Sequence, residues 1–291
     1  MSTAWPIGQV AAALPSLPPA HAIGRAATLA LYDELALAPK PGLVSFADSG
    51  SHDDMDAHTF MRSLLALRHY FVQIALLGEA HAPFDALQAC GIAAEARMLK
   101  ATGGVNTHRG AVFTLGLLCA AAGAARRDGE PACPAALRST LRRHWGDALQ
   151  VRSGRISPLP GGIAAHRHGL RSASQEAALG LPVLFETAVP ALFDALRRGL
   201  GPQQARVDTL FAVMAVLDDS NLAHRGGLEG LRHAQQAARG FLAQGGAARP
   251  AGLDAAQAIH RDFVARRLSP GGAADMLAAA CWMQRICGVA A

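Results

Sequence analysis

A chain of 291 residues with a formal charge of +5, 51% apolar and only 5% aromatic, is long enough to bury a substantial core. It builds that core mainly from Ala, Leu and Val, a composition that favours close-packed helices. Charged residues are 17% of the sequence and form no long basic run, which excludes the footprint of a nucleic-acid binder and leaves a mild preference for small acidic ligands.

Residues 1–21 carry Pro6, Pro15, Pro18 and Pro19 and are expected to form a loosely held arm ahead of one all-α domain spanning 22–291. No basic segment followed by an apolar one opens the chain, so no secretory signal is expected. Helical periodicity predicts a first helix over 23–37, stopped by Pro39 and Pro41. The loop that follows runs to Asp56 and is polar at its far end; loops of that length inside compact domains usually serve function. Phe60, Leu64, Leu67, Phe71 and Ile74 recur at helical steps and mark one buried face. A helix over 84–99 follows, and then a nearly uncharged run over 111–125 that reads as a buried helix. It is too short for a membrane span, which needs about 20 residues, so a soluble, cytoplasmic protein is expected.

Between those two helices lies Thr102-Gly103-Gly104-Val105-Asn106-Thr107-His108-Arg109-Gly110. Asn106 or Thr107 can cap the second helix, the glycines let the chain approach a ligand closely, and a helix N-terminus with Arg109 beside it attracts anions. Glu95, one turn ahead of Met98, is close enough in sequence to reach the same place.

Further helices are predicted over 135–151, 163–179, 183–199, 203–217, 228–242 and 255–267. The Pro158-Leu159-Pro160-Gly161-Gly162 break leaves the composition unchanged on either side, so a single domain is kept. A last helix has Ser269 as N-cap and Pro270 at its first position, with Asp275 soon after. No stretch alternates as a strand would. The expected fold is a single compact all-α domain whose polar loops converge on one cleft.

The second polar cluster, Asp218-Asp219-Ser220-Asn221-Leu222-Ala223-His224-Arg225-Gly226-Gly227, echoes the first. Adjacent Asp218 and Asp219 at the C-terminus of a helix sit at the negative end of its dipole, and a cation should offset them. With Asp54 or Glu95 brought in from elsewhere, oxygen ligands of this kind suit Mg2+ bridging to phosphates. Lys40, His108, Arg109, His224 and Arg225 supply the cationic half of a polyphosphate pocket. Lys40 draws attention because Lys40 and Lys100 are the two lysines among 27 basic residues, and a lysine in an arginine-rich chain points to a need for a compact ammonium. The competing reading is an internal ion network in which Asp218 and Asp219 pair with Arg225 and Arg109. The five cysteines show no CxxC spacing and read as reduced core residues.

Taken in order, Pro39-Lys40-Pro41-Gly42-Leu43-Val44, Ser49-Gly50-Ser51-His52 with Asp54-Met55-Asp56, Gly104-Val105-Asn106-Thr107-His108-Arg109-Gly110, and Asp219-Ser220-Asn221 with His224-Arg225-Gly226-Gly227 resemble the motifs of the triphosphoribosyl-dephospho-coenzyme A synthase family. Ser45 and Leu268-Ser269-Pro270-Gly271-Gly272 are more similar to its malonate decarboxylase branch than to its citrate lyase branch. Ser174, where the family often has Arg, is a departure that leaves Glu176 without a role.

The resemblance implies that ATP and 3′-dephospho-CoA give 2′-(5″-triphosphoribosyl)-3′-dephospho-CoA and adenine, with the product passed to a prosthetic-group transferase and an acyl carrier protein. For that reaction, the chemistry of the residues assigns Lys40, Arg109 and Arg225 to phosphates, with Gly104, Asn106, Thr107, Asn221, His224 and Gly226 completing the pocket. Asp218 and Asp219 would hold Mg2+, Glu95 or Asp54 would act as base, and His108 or His52 would stand nearest the leaving adenine. No nucleic acid or membrane partner is expected, and the oligomeric state is open, a homo-oligomer included. Alternatives are the same reaction serving citrate lyase, a metal-dependent phosphohydrolase built around His52-Asp53, and a nucleotide-binding partner without catalysis.

Overall fold

The computed structural model describes residues 15–288 as helices joined by short connections, with no strand among them. In chain order these are α1 (Ala20–Ala36), α2 (Ala57–Glu79), α3 (Phe84–Ala101), α4 (Arg109–Arg127), α5 (Pro134–Ser153) and α6 (Pro160–His168). There follow α7 (Ala173–Ala178), a π-helical turn (Leu184–Ala188) leading into α8 (Val189–Arg197), α9 (Pro202–Met214), α10 (Ser220–Ala243), α11 (Gly252–Ala265) and α12 (Gly271–Ile286). One continuous core cluster runs from Leu17 to Ile286.

The uncharged helix α4 is the axis of the molecule. Every residue from Thr114 to Ala125 is buried, because α1, α2, α3, α5 and α12 surround it. Small side chains set the spacing. A Cβ at Gly78 of α2 would lie 2.0 Å from the Ala120 carbonyl oxygen, and one at Gly123 of α4 would lie 2.0 Å from that of Ala75, so the two backbones touch where glycine alone fits. On α2, Leu64, Leu67, Phe71 and Ile74 are buried as their spacing predicts, while Phe60 is half-buried at the cavity described below.

Several boundaries differ from the sequence reading. Most of the expected N-terminal arm lies outside the described residues. Residues 15–19 are docked, with Leu17 buried and the Ala132 amide donating to the Pro15 carbonyl, and α1 starts at Ala20. The helix expected over 163–179 is two, broken at Gly169 in the left-handed region with φ 64°. The helix expected from 228 is present, and a helical segment from Ser220 that the sequence reading did not expect precedes it; the two meet at a kink where Gly227 is non-helical, with φ 63° and ψ −165°. Ser269 does not cap α12; its hydroxyl bonds His52, and the Ala273 amide at the start of α12 donates to Asp219 instead.

Candidate active site

The first turns of α4, α6, α10 and α12 all open onto one cavity of about 1170 Å³. Each helix start carries partial positive charge from its aligned peptides and unpaired amides, so the space favours anions before any side chain is counted. The side chains reinforce this. Arg109 stands at the first position of α4 and pairs with Glu95 of α3, and both line the cavity. The Arg109 amide donates to Asn106 Oδ1 at 3.2 Å, so Asn106 caps the helix start, as one of the two expected candidates.

His108 is buried at the cavity wall. Its Nδ1 lies 2.6 Å from Ser63 Oγ, which in turn is 2.7 Å from Thr107 Oγ1, while Nε2 has no hydrogen-bond partner among the described residues. Burial, with the Lys40 ammonium nearby, pushes its pKa down to about 3, so the ring is neutral with one unpaired nitrogen. His52, from the α1–α2 loop, is held at both ends: Nε2 is 2.9 Å from Ser269 Oγ, and Nδ1 is 3.0 Å from Arg225 Nη2. Burial first, and then the Arg225 charge, hold its pKa below the ordinary value. Asp54 lies 3.6 Å from His52 Nδ1 and is largely exposed at the mouth.

Two acids of the cavity wall are not assigned to the site by the sequence, where Asp275 reads only as an acid near the start of the last helix. Glu34 of α1 is buried, 4% exposed, and pairs with Lys40 Nζ at 2.5 Å. Asp275 of α12 faces the start of α4, where a Cβ on Gly110 would come within 2.0 Å of its Oδ2. Burial above all, then Glu34 and Asp219, raise the Asp275 pKa well above the usual carboxylate range. A lone carboxylate in the otherwise uncharged stretch from Gly271 to Gln284 was the available signal for Asp275. Glu34 had none beyond its apolar neighbours Leu31 and Leu35.

The structure therefore gathers Glu95, His52, Asp54, Asn106, Thr107, His108, Arg109, Asn221, His224 and Arg225 around one space, and it removes others from it. Lys40 is 1% exposed; its ammonium donates to the Glu34 carboxylate and carbonyl and does not line the cavity. A compact ammonium is used here because a buried carboxylate needs one. The Gly104 amide is taken by the Leu99 carbonyl at 2.7 Å, and Gly226 is a packing glycine whose Cβ would lie 2.6 Å from Leu268 Cδ2.

Asp218 and Asp219 do not fit a Mg2+ pair. Asp219 is the N-cap of α10, so it stands at the favourable end of a helix. Its Oδ1 accepts from the Asn221 and Leu222 amides and its Oδ2 from Ala273. Asp218 Oδ2 accepts from the Arg171 amide, and neither residue lines the cavity. The competing ion network fails as well: Arg109 pairs with Glu95, and Arg225 donates to the Ser51 and Arg267 carbonyls and to His52. Asp53, the partner in the phosphohydrolase alternative, is exposed and pairs with Arg267. The three-group cluster His81, Asp128 and His144 sits beyond the far end of α4, a helix of 19 residues and so roughly 28 Å long, and Arg143 already bonds its carboxylate.

No helix among the described residues is long and apolar enough to cross a membrane. All five cysteines are free, with Cys119 and Cys281 buried. A family model described as ATP:dephospho-CoA triphosphoribosyl transferase, CitG, matches residues 20–289. No solved structure matches the chain.

Proposed function

Because the chain belongs to the CitG family of ATP:dephospho-CoA triphosphoribosyl transferases, we propose that its cavity holds ATP and 3′-dephospho-CoA side by side and exchanges adenine for a ribose 2′-hydroxyl. The observation that carries this reading is the convergence of four helix starts and Arg109 on one space of about 1170 Å³. The space lies just above the about 300–1,000 Å³ usual for single-ligand pockets, and on this reading the two nucleotides share it.

In the reaction the 2′-oxygen of dephospho-CoA bonds to C1 of the ATP ribose as the bond from that carbon to adenine breaks. Positive charge builds on the sugar, so the step needs a fixed triphosphate, a base for the hydroxyl proton and assistance to the departing adenine. We assign the triphosphate to Arg109 and to the amides at the starts of α4 and α6; no side chain caps α6. Asn106, Thr107, Asn221, His224 and Arg225 supply polar contacts around it. Glu95 or Asp54 is the proposed base. Triphosphate competing for Arg109 would release Glu95 from its ion pair, coupling substrate arrival to the appearance of a free carboxylate. The unpaired Nε2 of His108 gives one hydrogen bond to the adenine or its ribose, whereas His52, engaged at both nitrogens, orients Arg225.

Magnesium, on this reading, arrives on the triphosphate, which ligands it through its own oxygens while the ion keeps several waters. We further propose that the product serves malonate decarboxylase, through a prosthetic-group transferase and an acyl carrier protein. Ser45 and the Leu268-Ser269-Pro270-Gly271-Gly272 segment support that branch.

Chromatography after incubation with both substrates is expected to show one adenine for each dephospho-CoA consumed, and none when either is omitted. Phosphate released from ATP without adenine would contradict the proposal. Arg109→Ala should lower kcat/KM for ATP by about tenfold to a hundredfold, since a hydrogen bond to a charged group contributes about 1.5–3 kcal/mol.

A further inference from the structure

Arg152, in the last turn of α5, is a cation of the cavity wall with no carboxylate partner among the described residues. Its guanidinium carbon lies 5.4 Å from the centre of the Phe113 ring. Nη1 donates to Gln88 Oε1 over a long 3.4 Å, and the buried Nε has no hydrogen-bond partner among the described residues. A flat cation laid on an aromatic face is fixed in orientation while most of its donors stay uncommitted. Arg109, by contrast, is already paired with Glu95.

The two arginines sit at different depths of the same wall. Gln88 and Glu95, which hold them, share one side of α3 two turns apart, about 10 Å along its axis. Phe113 likewise stands one turn after Arg109 on α4. The surroundings of Arg152 are apolar. Ile92, one turn beyond Gln88 on α3, and Ile156, in the connection just after Arg152, are 60% and 61% exposed, and both line the cavity with Phe84. Large aliphatic side chains left open inside a cavity offer a surface that the apolar part of a ligand can cover.

We propose that Arg152 is a substrate-binding residue that takes the diphosphate of 3′-dephospho-CoA, with Ile92 and Ile156 against the pantetheine arm. The inference rests on the transferase reading above. ATP carries nothing beyond its phosphates, whereas the dephospho-CoA diphosphate continues into an arm of methylenes, two methyl groups and amides. A cation followed by aliphatic surface therefore matches the second molecule and not the first. Two separate anion contacts on one wall also fix the nucleotides relative to each other, which the 2′-oxygen needs in order to reach C1.

Calorimetric titrations of ATP, ADP and dephospho-CoA, each alone, into wild type, Arg152→Ala, Arg152→Lys and Ile92→Ser test the assignment. Arg152→Ala is expected to weaken dephospho-CoA by about tenfold to a hundredfold, the scale of a hydrogen bond to a charged group, and ATP by less than about twofold. Arg152→Lys keeps the charge and should recover part of the loss. Ile92→Ser should weaken dephospho-CoA by about threefold to tenfold, the scale of covering part of one aliphatic side chain, and leave ADP, which has no arm, unchanged. Dephospho-CoA binding that survives Arg152→Ala, or an equal loss for ATP, would overturn the diphosphate contact. An Ile92→Ser variant that binds dephospho-CoA like wild type would overturn the placement of the arm. Binding needs no turnover, so a wild type that shows these affinities yet releases no adenine with both substrates would instead refute the transferase reading.

Discussion

His108 shows how a single residue ties the site to stability. Its ring is buried neutral, with a pKa of about 3 against an ordinary value of about 6.5 in an unfolded chain. Between those two values the unfolded chain binds a proton that the folded one does not, so His108 makes stability rise with pH across the window and fall as pH drops through it. Each pH unit below about 6.5 is worth up to about 1.4 kcal/mol. Asp219, raised to about 6, acts in the opposite sense, because the folded form then binds the extra proton. The His108 contribution is therefore read by difference. The urea-unfolding free energy of wild type minus that of His108→Gln is expected to shrink from pH 7 to pH 4, and a constant gap would show that the ring is not held neutral. His108 and Arg109 were legible in the sequence because they sit in a polar loop between apolar helices. Glu34 was not, since a carboxylate within a helix carries no local mark of the neighbours that tertiary packing will bring, and the one signal for Asp275, its isolation in an uncharged stretch, does not say where packing places it.

Among the elements, Asp219 joins two helices that begin 51 residues apart, at Ser220 and Gly271. One oxygen caps α10 and the other accepts from the Ala273 amide in the first turn of α12, which holds Asn221 and Asp275 on the same cavity wall. Asp219→Asn would turn an amide NH2 group towards backbone donors on one side. The expected cost is about 1–3 kcal/mol of unfolding free energy, measurable by urea titration, with weaker substrate binding as a consequence. A variant as stable as wild type would contradict the double-cap role. This element also explains where periodicity misleads. The Gly226-Gly227 pair reads as loop punctuation, and Gly227 does break the helical path, with φ 63° and ψ −165°; what spacing missed is the helical segment that Asp219 starts ahead of it. Ser269-Pro270 reads as a local cap, but the cap comes from a distant segment. Helix identity is set by apolar spacing, whereas these starts are set by partners remote in sequence.

At the scale of the whole molecule, α4 fixes the plan. Its buried small residues hold α1, α2, α3, α5 and α12 around it, and its first turn faces the starts of α6, α10 and α12 across the cavity. The all-α class and the convergence of polar segments follow from composition and spacing. The division of labour inside the cavity, with Lys40 behind the wall and Asp219 in a joint between helices, required the packed structure. The central claim is that one cavity takes two nucleotides at once. Calorimetric titration of dephospho-CoA into protein saturated with carbocyclic ATP, which lacks the ring oxygen needed for reaction, measures this directly. One dephospho-CoA is expected to bind per chain with the analogue still in place; strict competition between the two would contradict simultaneous occupancy.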